Sequence, residues 1–480
     1  MTRKTVTEKD QGVRLFLKEP KNVEWSGRNP VHVVYGGADR FRDDTVQKFG
    51  RLGLAAMDEY APDFAAFAKG LGLKGSDGLP DDGAAVGRLI SGLNADPSAV
   101  RDSNFPAWFA WSVHNKTVEK LTSEPVEDFR IDFEDGYGFR PDAAEDADAV
   151  AAAIEFASAF ANGGLPQFCG IRVKPLSAAT AERSLRTLDI FMTEALKRTG
   201  KKLPADFVVT LPKITEKKEV KRLVSALQAI ESENGLPTRS IGVEVMIETP
   251  QSLIDKKGRF APAALVVAAK GRCTSVHFGA YDYTADLGIA AEFQSIDHPA
   301  CDFARQIMLA TLSPLGVRLS DSVTTVMPVA VHKGESLSEI QRSENAQAVR
   351  EAWRMHFANV TRSMVNGFFQ SWDLHPAQLV GRYAAVYSFY LSGMSPQAAR
   401  LRSFVDRATR ATLTGNTFDD AASAEGLMNF FRRGLDCRAF SEAEVEAETG
   451  LSAEQIRFGS FAEIAATDSA TKGVTKGFTK

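Results

Sequence analysis

Cysteine is scarce in this sequence, and long apolar runs are missing. The 480 residues include four cysteines, and none forms a Cys-x-x-Cys pair, which argues against a zinc site or a disulfide framework. The N-terminal residues lack the apolar segment of a secretory signal, and no stretch is long enough to cross a bilayer. We therefore expect a cytoplasmic protein with reduced thiols at Cys169, Cys273, Cys301 and Cys437.

The chain also has no large excess of charge of one sign. Its 57 basic and 61 acidic residues give a net charge of −4, and the basic residues form no stripe. Nucleic acid is therefore excluded as the main ligand. The absence of a Gly-Lys-Thr phosphate-binding element disfavours a nucleotide but leaves coenzyme A open. With 44% hydrophobic and 25% charged residues, the composition is that of a soluble globular protein.

Two apolar runs that each end on a carboxylate stand out. Ile241–Glu248 and Thr274–Asp282 each predict a short buried strand, and residues 261–269 between them predict a crossover helix. This order implies two parallel neighbouring strands whose carboxyl ends lie side by side. Glu248 and Asp282 would then repel each other unless a cation lay between them. We predict a site for a hard divalent cation.

The rest of the chain alternates strands and helices. Eight strands can be counted from Val31 to Leu374, and the helical segments repeat apolar residues at helical spacing, as Val220, Leu223 and Leu227 do. The pattern predicts an α/β protein, a (β/α)8 TIM barrel over residues 30–380. Residues 1–29 are interpreted as a surface lead-in.

Two additions to the barrel are predicted. A long insertion after the first strand, about 40–125, includes one helix over Thr45–Lys69. A helical appendage covers 381–465, with one helix starting at Ser395-Pro396, a second over 421–433 and a third opened by a capping box at Ser441. Residues 466–480 are predicted to be a flexible tail.

Charged residues are concentrated at the predicted carboxyl ends of the strands. In (β/α)8 barrels this face carries the active site. The residues are Asp132, Glu134, Asp135, Arg172, Lys213, Glu248 and Asp282.

Six motifs in this part of the chain together resemble the HpcH/HpaI aldolase and citrate lyase β-subunit-like family of phosphoenolpyruvate/pyruvate-type TIM barrels. They occur in the order of that family between about Val31 and Gln378. The motifs are Ile131–Asp135, Ile171–Pro175, Leu211–Lys213, Ile247–Pro250, Phe278–Gly288 and His375–Gln378.

The resemblance implies a magnesium- or manganese-dependent enzyme that makes or breaks a carbon–carbon bond through a metal-stabilised enolate. Its substrate would be a 2-oxo acid or a 3-hydroxy acid, and the enzyme would be a homo-oligomer. Residue by residue, it implies Glu248 and Asp282 as metal ligands. The other implied site residues are Arg172, Asp135, Asp132 and Glu134 as catalytic groups, and Arg172, Lys213, Gly279 and Ala280 as substrate contacts.

The residues also leave alternatives open. Arg172 could instead form a structural ion pair with the carboxylates of 132–135, and Lys213 could form an imine with a carbonyl substrate. Asp135 stands where the aldolase branch has histidine, and Tyr281 where many members have glutamate. The alternative functions are a citrate-lyase-like acyl-CoA lyase or thioesterase on the same barrel, and, from another class, a non-catalytic scaffold.

Overall fold

Eight parallel strands close into a barrel in which each strand pairs with its neighbours in chain order, β1 to β8. The computed structural model describes residues 27–414, 421–459 and 464. The strands are β1 His32–Gly37, β2 Asp128–Asp132, β3 Phe168–Arg172, β4 Asp206–Leu211, β5 Gly242–Ile247, β6 Cys273–Phe278, β7 Arg318–Val323 and β8 Gln370–Asp373. The predicted (β/α)8 barrel is thus confirmed, and closure leaves no exposed sheet edge.

The strands form where the sequence offers short apolar stretches that can be covered on both faces. Every residue of β4 and β5 is buried. Helix α8, Lys217–Asn234, lies outside the strands, and its Val220, Leu223 and Leu227 are all fully buried. The helical spacing of these three residues correctly predicted the buried face.

The inside of the barrel holds a buried polar network beside an apolar cluster of Val33, Met246, Val323 and Trp372. Arg130 on β2 donates to Asp128 and, at 2.7 Å, to Glu244 on β5. Glu244 also accepts hydrogen bonds from Thr210 at 2.7 Å and from Ser275 at 2.5 Å. These side chains are buried, and a buried charge is tolerated only when it is paired and fully hydrogen-bonded in this way.

Helices follow the strands from β2 onward. The set is α6 Asp142–Asn162, α7 Ala181–Arg198, α8 Lys217–Asn234, α9 Pro250–Leu253, α10 Pro262–Ala268, α11 Ala280–Asp286, α12 Pro299–Leu312 and α13 Glu339–Val365. Helices α6 and α8 both end at a glycine with positive φ, Gly163 (+72°) and Gly235 (+68°), which lets the chain reverse toward the next strand.

The insertion after β1 is entirely helical in its regular structure. It contains α1 Thr45–Tyr60, α2 Phe64–Leu71, α3 Gly83–Ala95, α4 Pro97–Ser103 and α5 Phe105–Ser123. The prediction of a single helix over Thr45–Lys69 was wrong. The chain leaves the helix at Ala61-Pro62, and the Asp63 side chain then caps α2 by accepting from the backbone N–H groups of Ala65 and Ala66.

The described residues after β8 form helices α14 Gln378–Thr414, α15 Ala421–Asp436, α16 Glu442–Thr449 and α17 Ala453–Phe458. The predicted helix start at Ser395-Pro396 was wrong, since α14 runs through Pro396. Ser395 does not cap a helix; its hydroxyl accepts a hydrogen bond from Arg101 at 2.6 Å. The capping box at Ser441 is confirmed.

The chain divides into two compact units. The first comprises residues 1–56 and 121–380 and contains the barrel; the second comprises 57–120 and 381–480. In the second unit, Arg101 of the insertion pairs with Glu448 at 3.3 Å. Tyr390, Phe430 and Phe440 form an aromatic cluster there, with ring centroids 5.2 to 5.8 Å apart. Segments distant in sequence therefore share one core. None of the helices in the described part of the chain has the length and apolar content needed to span a membrane.

Candidate active site

The predicted site residues lie at the carboxyl ends of β2 to β6. Asp132 and Arg172 are the last residues of β2 and β3, and Glu248 follows the last residue of β5. Asp282 does not end a strand, contrary to the prediction: β6 stops at Phe278, and Asp282 lies in the first turn of α11. The apolar run continues past the strand because Ala280 and Tyr283 are buried as part of that short helix.

Arg172 is held rigidly. Its Nε and Nη2 donate to the two carboxylate oxygens of Asp132 at 2.7 and 2.5 Å, and its Nη1 lies 3.2 Å from Glu134. Asp132 also accepts from the backbone N–H groups of Glu134 (2.9 Å) and Gly136 (2.7 Å). The ion pair that the sequence allowed for Arg172 is therefore present. Both oxygens of Asp132 are used to position the guanidinium and the β2–α6 loop.

Tyr35 on β1 is a site neighbour that the sequence analysis missed. The Arg172 guanidinium lies over its ring, 4.6 Å from the centroid. The Tyr35 hydroxyl donates to Glu244 at 3.2 Å and lies 2.9 Å from Nδ1 of His277. Burial and the charge of Glu244 raise the pKa of Tyr35, so the phenol stays protonated. Tyr35 thereby joins Arg172 to the polar interior of the barrel.

Lys213, two residues after β4, lies among the carboxylates of the site. Its ammonium is 2.5 Å from Glu134, 2.8 Å from Asp135 and 3.6 Å from Asp282. Although burial opposes it, the charge of Glu134 and the hydrogen bond to Asp135 raise the pKa of Lys213, which keeps the amine protonated. A protonated amine is not a nucleophile, and this disfavours the imine alternative.

Glu248 and Asp282 do converge, although they stand 34 positions apart in sequence. Lys213 contacts both residues: its backbone N–H donates to Glu248 at 2.5 Å, and its ammonium lies 3.6 Å from Asp282. Burial, followed by the charges of Glu134 and Asp282, raises the pKa of Glu248 to about 8. Burial likewise raises the pKa of Asp282. Two carboxylates forced together in this way bind a proton or another cation strongly.

Gly279 gives Glu248 the space it occupies. A Cβ on Gly279 would lie 2.5 Å from a carboxylate oxygen of Glu248 and 2.6 Å from its Cβ. The backbone N–H of Gly279 donates to Ile247 at 2.9 Å, and that of Ala280 to the Ser322 hydroxyl at 3.0 Å. Gly279 and Ala280 were predicted as substrate contacts. Their backbone N–H groups form hydrogen bonds within the barrel, where they fix the β6–α11 turn.

The donor set suits a hard divalent ion, because it consists of carboxylate oxygens. Among the described residues, however, no group of three or more His, Cys, Asp or Glu side chains is arranged as a ready set of metal ligands. The Lys213 ammonium lies where the carboxylates of Glu134, Asp135 and Asp282 converge. The residues fit the metal by their chemistry, and a cationic side chain already lies among them.

A family model described as "Domain of unknown function (DUF6986)" matches residues 21–464. The chain belongs to this family. The DUF6986 match covers the barrel and both helical additions, so the two units described above fall within one family description. No curated protein matches the chain.

Several solved structures match this DUF6986 chain at low sequence identity. A citrate lyase from Burkholderia xenovorans LB400 is 18% identical over 70% of this chain and 92% of its own, with a TM-score of 0.48. CitE from Mycobacterium tuberculosis, in complex with magnesium and acetate, is 18% identical over 57% and 87%, with a TM-score of 0.34.

A third match is an HpcH/HpaI aldolase/citrate lyase family protein from Burkholderia cenocepacia J2315. It is 13% identical over 58% of this DUF6986 chain and 91% of its own, with a TM-score of 0.33. Citrate lyase, CitE and HpcH/HpaI proteins, the groups that the six motifs indicate, are thus among the matched structures.

Proposed function

We propose that the protein is a divalent-metal-dependent carbon–carbon lyase of the aldolase type that acts on a 2-oxo acid or a 3-hydroxy acid. The observation that carries the proposal is the convergence of the buried Glu248 carboxyl and of Asp282 at the barrel rim, where the backbone N–H of Lys213 donates to Glu248 at 2.5 Å and its ammonium lies 3.6 Å from Asp282. A repulsive pair of this kind costs stability, and a binding site for a cation is the function that it serves best. Glu248 and Asp282 would hold Mg²⁺ or Mn²⁺.

Arg172 lies on the same rim and carries a charge that does not depend on pH. Asp132 and the ring of Tyr35 fix its orientation. Cleavage next to a carbonyl leaves negative charge on the carbonyl oxygen, and a preoriented guanidinium stabilises that charge without reorganisation. A bound Mg²⁺ would add Lewis-acid polarisation of the same oxygen.

Two neighbouring carboxyl groups differ in their affinity for a proton. Burial raises the pKa of Glu134. Although burial opposes it, the hydrogen bond and charge of Lys213 lower the pKa of Asp135, which is the more exposed of the two. Neighbouring groups whose pKa values are pushed apart divide the roles of acid and base. We assign the proton-holding role to Glu134 and the anionic role to Asp135.

The decisive experiment combines metal content with turnover. Purified protein should bind about one Mg²⁺ or Mn²⁺ per chain, and 3-hydroxy acids that carry a second carboxylate on the hydroxyl-bearing carbon should release a 2-oxo acid only when the metal is present. In Glu248→Ala and Asp282→Ala, both binding and turnover should fall together. Full activity in either variant, or in chelator-treated protein, would refute the proposal. The predicted homo-oligomer and cytoplasmic location remain predictions.

A further inference from the structure

Lys213 is placed by its backbone as well as by its side chain. Its φ is +47°, in the left-handed region that is unfavourable for a residue with a Cβ. This conformation lets the Lys213 N–H donate to Glu248 at 2.5 Å while the side chain reaches Asp282, 3.6 Å from the ammonium. One residue thus contacts both of the carboxylates that we assign to the metal.

The two cations of the site differ in how firmly they are held. Arg172 is buried, forms two hydrogen bonds with Asp132 and lies against Tyr35. The Lys213 side chain is 29% exposed, and it carries a compact charge on a flexible four-carbon chain. Arg172 therefore stays in place when the charge of the site changes, whereas the more exposed and flexible Lys213 side chain can be displaced from its carboxylate partners.

We propose that Lys213 is an internal counter-cation that competes with the divalent ion for Glu248 and Asp282 and, once displaced, binds the carboxylate of the substrate. The inference rests on the proposed function. Before metal binding, the ammonium relieves the repulsion among Glu134, Asp135 and Asp282. After metal binding, the same ammonium carries a surplus charge at the rim, suited to an anionic substrate.

The inference can be tested because removing the Lys213 charge should affect metal binding and substrate binding in opposite directions. Removing the charge of Lys213 should strengthen metal binding, because a cation is removed from the immediate surroundings of the metal. The same change should weaken binding of a carboxylate ligand to the metal-loaded protein. A residue that only stabilised the fold would weaken both.

The experiment is titration calorimetry with Mn²⁺ alone, followed by titration of the Mn²⁺-loaded protein with pyruvate. For Lys213→Met we expect at least a tenfold lower dissociation constant for Mn²⁺ and about a tenfold higher one for pyruvate, as a single nearby charge gives. Lys174→Met is the matched control. Lys174 is also partly buried and pairs with Glu145 at 2.7 Å, outside the carboxylate cluster. The dissociation constants of Lys174→Met for Mn²⁺ and for pyruvate should both stay within about threefold of wild type.

The outcomes separate the inference from the proposed function. If wild type binds Mn²⁺ but Lys213→Met binds it no more tightly, the inference is overturned and the metal proposal stands. If wild type binds no Mn²⁺, the metal proposal fails and the inference fails with it. Lys213→Gln removes the charge but keeps a hydrogen-bond donor. It decides the question in the same way if the methionine variant does not fold.

Discussion

The raised pKa of Glu248 should make the metal-free protein less stable as the pH rises and the carboxyl loses its proton. Burial and the charges of Glu134 and Asp282 raise the pKa of Glu248 from 4.5 to about 8. The folded protein therefore holds a proton that the unfolded chain releases above pH 4.5. The contribution of this carboxyl group to the free energy of unfolding is complete below about pH 4.5 and is lost progressively up to about pH 8.

The size of the effect follows from the same pKa values. One pKa unit corresponds to about 1.4 kcal/mol. The difference between 4.5 and about 8 for Glu248 then corresponds to a loss on the order of 5 kcal/mol between the two pH limits. This is a large fraction of the 5–15 kcal/mol that stabilises a typical protein. Raised pKa values at Glu134 and Asp282 act in the same direction.

Urea unfolding of chelator-treated protein at pH 5 and pH 8.5 tests this prediction. Glu248→Gln should unfold at similar urea concentrations to wild type at pH 5 and be the more stable of the two at pH 8.5. Glu231→Gln serves as the opposite control. Arg272 and two backbone N–H groups lower the pKa of Glu231 although burial opposes them, so this variant should be destabilised at both pH values. Equal pH dependence in wild type and Glu248→Gln would refute the reasoning.

Three further predictions concern single side chains of the site. Asp282→Ala should leave the metal-free barrel at least as stable as wild type in thermal unfolding, because a repelled carboxylate is removed; a fall in melting temperature would contradict this. Arg172→Lys should retain Mn²⁺ binding but lose at least about tenfold in turnover, since an ammonium cannot keep both hydrogen bonds to Asp132; unchanged kcat would be contrary to expectation. Gly279→Ala should cost about 1–3 kcal/mol in urea unfolding and weaken metal binding, because the new Cβ would lie 2.5 Å from Glu248; an unaffected protein would show that Glu248 can move freely.

Local pattern was enough to predict the barrel. Val220, Leu223 and Leu227 recur at helical spacing, and all three are buried on α8. The runs ending at Glu248 and Asp282 did predict neighbouring parallel strands, since β5 pairs with β6. Periodicity reports which face of an element is covered, and in a closed barrel that information comes close to fixing the fold.

The local sequence pattern did not predict where β6 ends, and it did not predict the polar contacts between residues that are distant in sequence. The run to Asp282 reads as one strand because Phe278, Ala280 and Tyr283 are all buried, although only the first belongs to β6. The contact between Tyr35 and His277 joins residues 242 positions apart. Such partners have no sequence signal, since each residue alone is compatible with an ordinary apolar strand.

The position of Lys213 shows the same limit for the candidate site. Its sequence context, a Pro-Lys pair after a strand, predicts a rim location but not the direction of the side chain. That direction depends on a positive φ and on the hydrogen bond from its N–H to Glu248. Both are properties of the assembled rim, so only the structure could show a lysine among the carboxylates.

The rim has more negative than positive charge, and this imbalance links the predictions to one another. Glu134, Asp135 and Asp282 face the ammonium of Lys213, and Glu248 accepts from the backbone N–H of the same residue, while Arg172 is largely taken up by Asp132. The remaining negative charge can be relieved by a proton, by a divalent ion or by the lysine. Because these three cations compete for the same oxygens, removing one must strengthen the binding of the other two. Metal binding at pH 7 must therefore release protons, and it must release more of them when Lys213 is neutralised.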